Sequence, residues 1–63
     1  MSAGDLRSLS DVELKQKLQE AYQELLNLRF RKATKQLDNT ARVRVVRKDI
    51  ARIETVMRER QLA

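Results

Sequence analysis

Apolar residues recur at helical spacing along most of this chain. Val43, Val46, Ile50, Ile53 and Met57 follow one another at intervals of 3, 4, 3 and 4, which places them on one face of a helix. Upstream lie two stripes. One is Tyr22, Leu26, Phe30, Ala33 and Leu37. The other, well around the same helix, is Leu14, Ala21, Leu25 and Leu28. Between the two periodic regions, Asp38, Asn39 and Thr40 each prefer turns or caps to helix interiors. The pattern predicts a helix over about residues 11–36, a turn over about 37–40 and a second helix over about 41–60.

The first helix has a start signal. Ser10 and Glu13 form the Ser-x-x-Glu pattern of a capping box, and Leu9 and Leu14 stand where a hydrophobic staple places them. Asp11–Lys15 and Glu13–Lys17 are favourable i,i+4 pairs. At the second start, Asn39 or Thr40 is the expected cap.

Folding the chain at residues 38–40 sets Tyr22, Leu26, Phe30, Ala33 and Leu37 opposite Met57, Ile53, Ile50, Val46 and Val43. The expected fold is therefore all-α, a long antiparallel two-helix hairpin. That register leaves Leu14, Ala21, Leu25 and Leu28 uncovered. Either Leu6 and Leu9 fold back over part of them in a short N-terminal turn, or they dock a neighbouring molecule. The two readings are compatible.

Composition narrows the chemistry. The chain has 63 residues, one small domain at most. It has no Pro and a single Gly, so helix formers run on uninterrupted. Absent Cys and His remove disulfides, a thiol nucleophile, an imidazole base and Cys/His metal ligation. No paired carboxylates and no Gly-rich phosphate loop stand out. Two helices enclose no cavity. Neither a catalytic residue nor a cofactor, metal or small-molecule substrate is expected. No apolar run is long enough to span a bilayer. The N-terminus lacks a signal-peptide pattern, so the expected location is the cytoplasm.

Charge is the most directive feature. The chain carries +5 overall. Residues 1–28 carry −2, residues 49–63 are neutral, and residues 29–48 carry +7. The block contains Arg29, Arg31, Lys32, Lys35, Arg42, Arg44, Arg47 and Lys48 against Asp38 alone. On the second helix Arg44, Lys48 and Arg52 stack at i, i+4 and i+8, with Arg47 beside them. Such like-charge pairs each destabilise a helix by roughly 0.2–0.5 kcal/mol. An anionic partner turns that repulsion into attraction.

One such side chain alone is ordinary solvated surface. The whole block beside a turn points to a polyanion. A membrane fits less well, because the second helix spends its apolar stripe internally. A DNA-reading helix-turn-helix has a third helix and a tighter turn. Tyr22 and Phe30 fall on the stripe assigned to the interior, which leaves no platform for stacking bases. Contact with phosphates of a folded or double-stranded nucleic acid remains. Asn39 and Thr40 either cap or hydrogen-bond to sugar and phosphate. The alternative is a basic hairpin that dimerises through Leu14, Ala21, Leu25 and Leu28 and binds nucleic acid nonspecifically.

An ordered set of segments carries a resemblance. Leu6-Arg7, Glu13-Leu14, Asn27-Leu28-Arg29-Phe30, Ala33-Thr34, Gln36-Leu37-Asp38-Asn39-Thr40, then Arg42 and Val46-Arg47-Lys48-Asp49-Ile50-Ala51-Arg52-Ile53 to Thr55, and Arg58-Glu59-Arg60 follow one another. Over nearly its whole length the chain resembles the bacterial large-subunit ribosomal proteins of the L-twenty-nine family. The resemblance implies a helical hairpin with a short N-terminal helical segment and no enzymatic activity. It implies binding to large-subunit rRNA near the exit of the peptide tunnel, beside a protein of the L-twenty-three family. It implies a shared rim that receives targeting and chaperone factors. The family's most diagnostic segment maps onto residues 39–53, which hold Arg42, Arg44, Arg47, Lys48 and Arg52. Members often carry Gln-Leu where this chain has Arg31-Lys32, and Gly where it has Lys35.

Overall fold

The structure, a computed structural model, describes residues 3–36 and 40–61. These form α1 (Ala3–Arg7), α2 (Asp11–Ala33) and α3 (Ala41–Glu59), with no strand among the described residues. α2 packs along α3, and α1 packs on α3. Asp11 bonds to Arg60 at one end of the pair, and Lys32 lines one groove with Thr40 and Arg44 at the other. The two long helices are therefore antiparallel, and the all-α hairpin with a short N-terminal helix is the fold.

The capping box forms as the residues predict. Ser10 Oγ accepts from the Glu13 backbone N–H at 3.2 Å, and the Ser10 N–H donates to Glu13 Oε1 at 3.1 Å. These bonds satisfy two of the first-turn donors that a helix start otherwise leaves orphaned. Asp11 does not pair with Lys15. Its carboxylate accepts from Arg60 Nη1 at 3.1 Å instead.

α2 ends at Ala33, one turn short of residue 36. Lys35 takes a left-handed conformation, with φ of 61°. Its N–H donates to the Lys32 carbonyl at 3.1 Å, and the Gln36 N–H donates to the Arg31 carbonyl at 2.8 Å. This pair of bonds is a Schellman termination, and its left-handed position is where glycine most often stands. Here Lys35 accepts a Cβ clash of about 1–2 kcal/mol. Thr40 occupies the N-cap of α3 without a capping bond from its side chain. Leu37, Asp38 and Asn39 lie outside the described residues.

The expected packing register is corrected. α2 buries Leu14, Ala21, Leu25 and Leu28, not Tyr22, Leu26 and Phe30. With Leu18, which packs partly buried against the same core, that row runs at intervals of 4, 3, 4 and 3. Alternating steps of this kind stay on one face. The steps of four from Tyr22 to Leu26 to Phe30 drift roughly 40° further round the helix each time. The facing row on α3 is Val46, Ile50, Ile53 and Met57, as expected, with Val56 added and Val43 partly buried. Tyr22 meets Glu54 through its hydroxyl rather than Met57.

Leu6 of α1 closes the core and is 1% exposed, with Leu9 packed beside it. α3 covers most of the α2 face, and the N-terminal segment, packed on α3, closes the core. Leu14, Ala21, Leu25 and Leu28 are consequently interior residues. The expectation that they dock a neighbour, or join two copies, is corrected because their surface is spent inside the chain. Arg7 holds α1 down by donating from Nε and Nη2 to Glu59 at 3.2 and 2.9 Å. Arg60 Nη2 also donates to the Arg7 carbonyl at 2.8 Å.

Candidate nucleic-acid interface

Burying one face of each helix decides where the charges go. The core side of α3 is filled by β-branched residues and Met57, so Arg44, Lys48 and Arg52, roughly half a turn away, project outward. All three are exposed, as is Arg47. Arg52 stands 3.8 Å from Asp49, a loose i,i+3 pair on the same helix. Arg29, Arg31 and Lys32 are exposed on the last turns of α2, and Lys35 is exposed just beyond them.

Arg42 behaves differently. Its Nε donates to Glu24 Oε1 at 2.6 Å across the seam between the helices. The hydrogen bond and the nearby carboxylate raise the guanidinium pKa above its ordinary value. One predicted phosphate ligand is thereby committed to an internal partner, and nothing in the sequence pattern had pointed to Glu24.

Near the turn, Lys32 of α2 and Arg44 and Arg47 of α3 line one groove with Thr40 and Val43. Its volume is about 210 Å³, and no described carboxylate lines it. The described residues place no ion-pair partner on Lys32, Arg44 or Arg47. Of the predicted set, the structure therefore brings four residues together here, and arranges Lys48 and Arg52 along the outer face of α3. Arg29, Arg31 and Lys35 surround the end of α2. Asn39 lies outside the described residues.

The aromatic residues also change place. Phe30 is 64% exposed, Leu26 70% and Tyr22 49%. The interior therefore does not consume the two aromatics, and an apolar ridge runs along α2 beside its basic end. Glu54 accepts the Tyr22 hydroxyl hydrogen bond, which raises the tyrosine pKa above its ordinary value. Among the described residues no cluster of acidic side chains is suited to a metal ion. No described helix is long and apolar enough to cross a membrane.

Residues 4–60 match the protein family described as Ribosomal L29 protein. The chain belongs to this family of large-subunit ribosomal proteins. The large ribosomal subunit protein uL29 of Saccharopolyspora erythraea is 61% identical over 62 residues, covering 98% of this chain and 78% of that protein. The uL29 of Chloroflexus aurantiacus is 59% identical, covering all of this chain and 93% of its own length. That of Geobacillus stearothermophilus is 56% identical, again over the whole chain and 96% of the relative. Family membership thus agrees with a helical, basic architecture reached from the residues themselves.

Proposed function

We propose that this protein is a structural component of the large ribosomal subunit that holds rRNA through the basic end of its hairpin and the outer face of α3. The observation that carries the reading is the division of its cations. Arg7, Arg42 and Arg60 bond to carboxylates inside the fold. Arg44, Arg47 and Lys48 stand exposed, on the side away from the core, with no carboxylate partner among the described residues. Arrays of this kind neutralise backbone phosphates and displace their counterions.

The protein has no reaction to catalyse in this reading and works in the cytoplasm as part of the ribosome. The resemblance supports a place near the tunnel exit beside an L-twenty-three family protein, with targeting or chaperone factors at the shared rim. With Leu14, Ala21, Leu25 and Leu28 interior, the surface available to a protein neighbour is the ridge of Tyr22, Leu26 and Phe30.

Replacing Arg44, Lys48 and Arg52 together with Gln tests the reading. Binding to a large-subunit rRNA fragment should weaken, and its log–log salt slope should flatten by about 0.7–0.9 for each phosphate no longer neutralised. An unchanged slope removes these residues from the interface.

A further inference from the structure

We propose that the groove between Lys32, Thr40, Arg44 and Arg47 is a discrete seat for one backbone phosphate of RNA, sharing Arg44 with the outer α3 face. The inference rests on the rRNA-binding reading and assigns one site within it.

Three features of the groove support a seat. First, its cations arrive from both helices. Lys32 comes from the last turn of α2, and Arg44 and Arg47 from the first turns of α3, so the hairpin itself fixes their spacing. The three side chains line one groove of about 210 Å³. Second, no described residue compensates the charge. No described carboxylate lines the groove, none of the three cations pairs with a described residue, and the first turn of α3 contains no acid. Cations in that turn oppose the helix dipole as well as one another. Third, the Thr40 hydroxyl stands at the rim with no capping bond to make, leaving an O–H donor beside the three cations. Val43 adds an apolar side chain to the lining. Multiple N–H and O–H donors suit a phosphate's oxygens, and Arg supplies the forked geometry they accept.

Among the described lining residues, Lys32 is the one that α2 contributes. Without the ammonium the groove keeps cations from α3 alone and no longer bridges the hairpin.

The full-length protein is titrated with inorganic phosphate at constant ionic strength, following backbone amides and Arg Nε–H groups by NMR. Saturating shifts confined to Thr40, Val43, Arg44, Arg47 and the end of α2 are expected. They should vanish in Lys32→Gln and persist in Lys15→Gln. Linear shifts spread equally over Lys48 and Arg58 overturn the seat. In parallel, wild type and Lys32→Gln are compared on a large-subunit rRNA fragment across a salt series. The variant should bind several-fold more weakly, and its slope should fall by about one. Wild-type binding with an identical slope in the variant overturns the seat alone, whereas wild type that does not bind the fragment overturns the parent reading. Retained helical circular dichroism shows that the Lys32 variant remains folded.

Discussion

Arg42 Nε donates to Glu24 Oε1 at 2.6 Å, tying the first turn of α3 to the middle of α2. The bond sorts the basic block into two kinds of cation. Arg42 is spent on the fold, and its neighbours Arg44 and Arg47 are left for a partner. Arg42→Gln should therefore cost less rRNA affinity than Arg47→Gln, although the two residues are close in sequence. Both side chains of the Arg42–Glu24 pair are about half exposed, so solvent screens the pair and removing it should change stability little. Salt-dependent binding of the two variants decides the ranking. An equal fall in slope means that Arg42 leaves Glu24 to reach phosphate.

Leu25 and Leu26 are adjacent in sequence and opposite in environment, at 7% and 70% exposed. Leu25→Ala should destabilise the protein by roughly 2–5 kcal/mol, the range for emptying a packed leucine site. Leu26→Ala should change stability by less than about 0.5 kcal/mol, as at most exposed positions. Urea unfolding followed by circular dichroism measures both. The reverse ranking restores the other register.

This pair shows what the sequence conveyed. Helices, capping box, turn region and the α3 core row follow from local spacing and composition, which act within a few residues. The choice between two α2 stripes was legible too once Leu18 is counted, because the buried row alternates steps of 4 and 3 while Tyr22, Leu26 and Phe30 drift round the helix. The end of α2 in a left-handed turn at Lys35 was not, since a lysine there has no local signature. Arg44, Lys48 and Arg52 were legible as an outer face because α3 has one apolar stripe only. The Arg42–Glu24 bond and the Lys32–Arg47 groove were not legible, since each depends on interhelical register.

Lys35 itself yields a stability prediction. Its φ of 61° carries a penalty for any side chain with a Cβ. Lys35→Gly should raise stability by about 0.5–1 kcal/mol, the relief at the left-handed position offset by greater freedom of the unfolded chain. A higher urea midpoint at unchanged m value is the expected result. A lower midpoint shows that α2 does not end in this turn.

Two groups give pH signatures of opposite sign. The hydrogen bond from Arg7, with its charge, lowers the Glu59 pKa below the usual carboxylate value, so its contribution is present above pH 4.5 and is lost as pH falls through the folded pKa. α1 should loosen from α3 in that acidic window, visible as faster amide exchange at Leu6 and Arg7. The Tyr22 pKa is raised above 10.0 by its bond to Glu54, so that bond is intact below pH 10.0 and is lost as pH rises through the folded value. Tyr22 is the only tyrosine, which makes ultraviolet absorbance a direct readout. Ionisation at or below the ordinary pKa contradicts the Glu54 contact.

We propose that cations the described fold leaves unpaired attach this protein to the large subunit. The most direct test is sucrose-gradient sedimentation of tagged protein from cell lysate, at low and high salt and with RNase-treated controls. Wild type is compared with the combined Lys32→Gln, Arg44→Gln, Arg47→Gln and Lys48→Gln variant. Wild type should co-migrate with the large subunit until high salt, and the variant should move to the top of the gradient at moderate salt while keeping its helical circular dichroism. Equal retention of the variant at every salt concentration, or a wild-type peak free of ribosomes and indifferent to RNase, contradicts it.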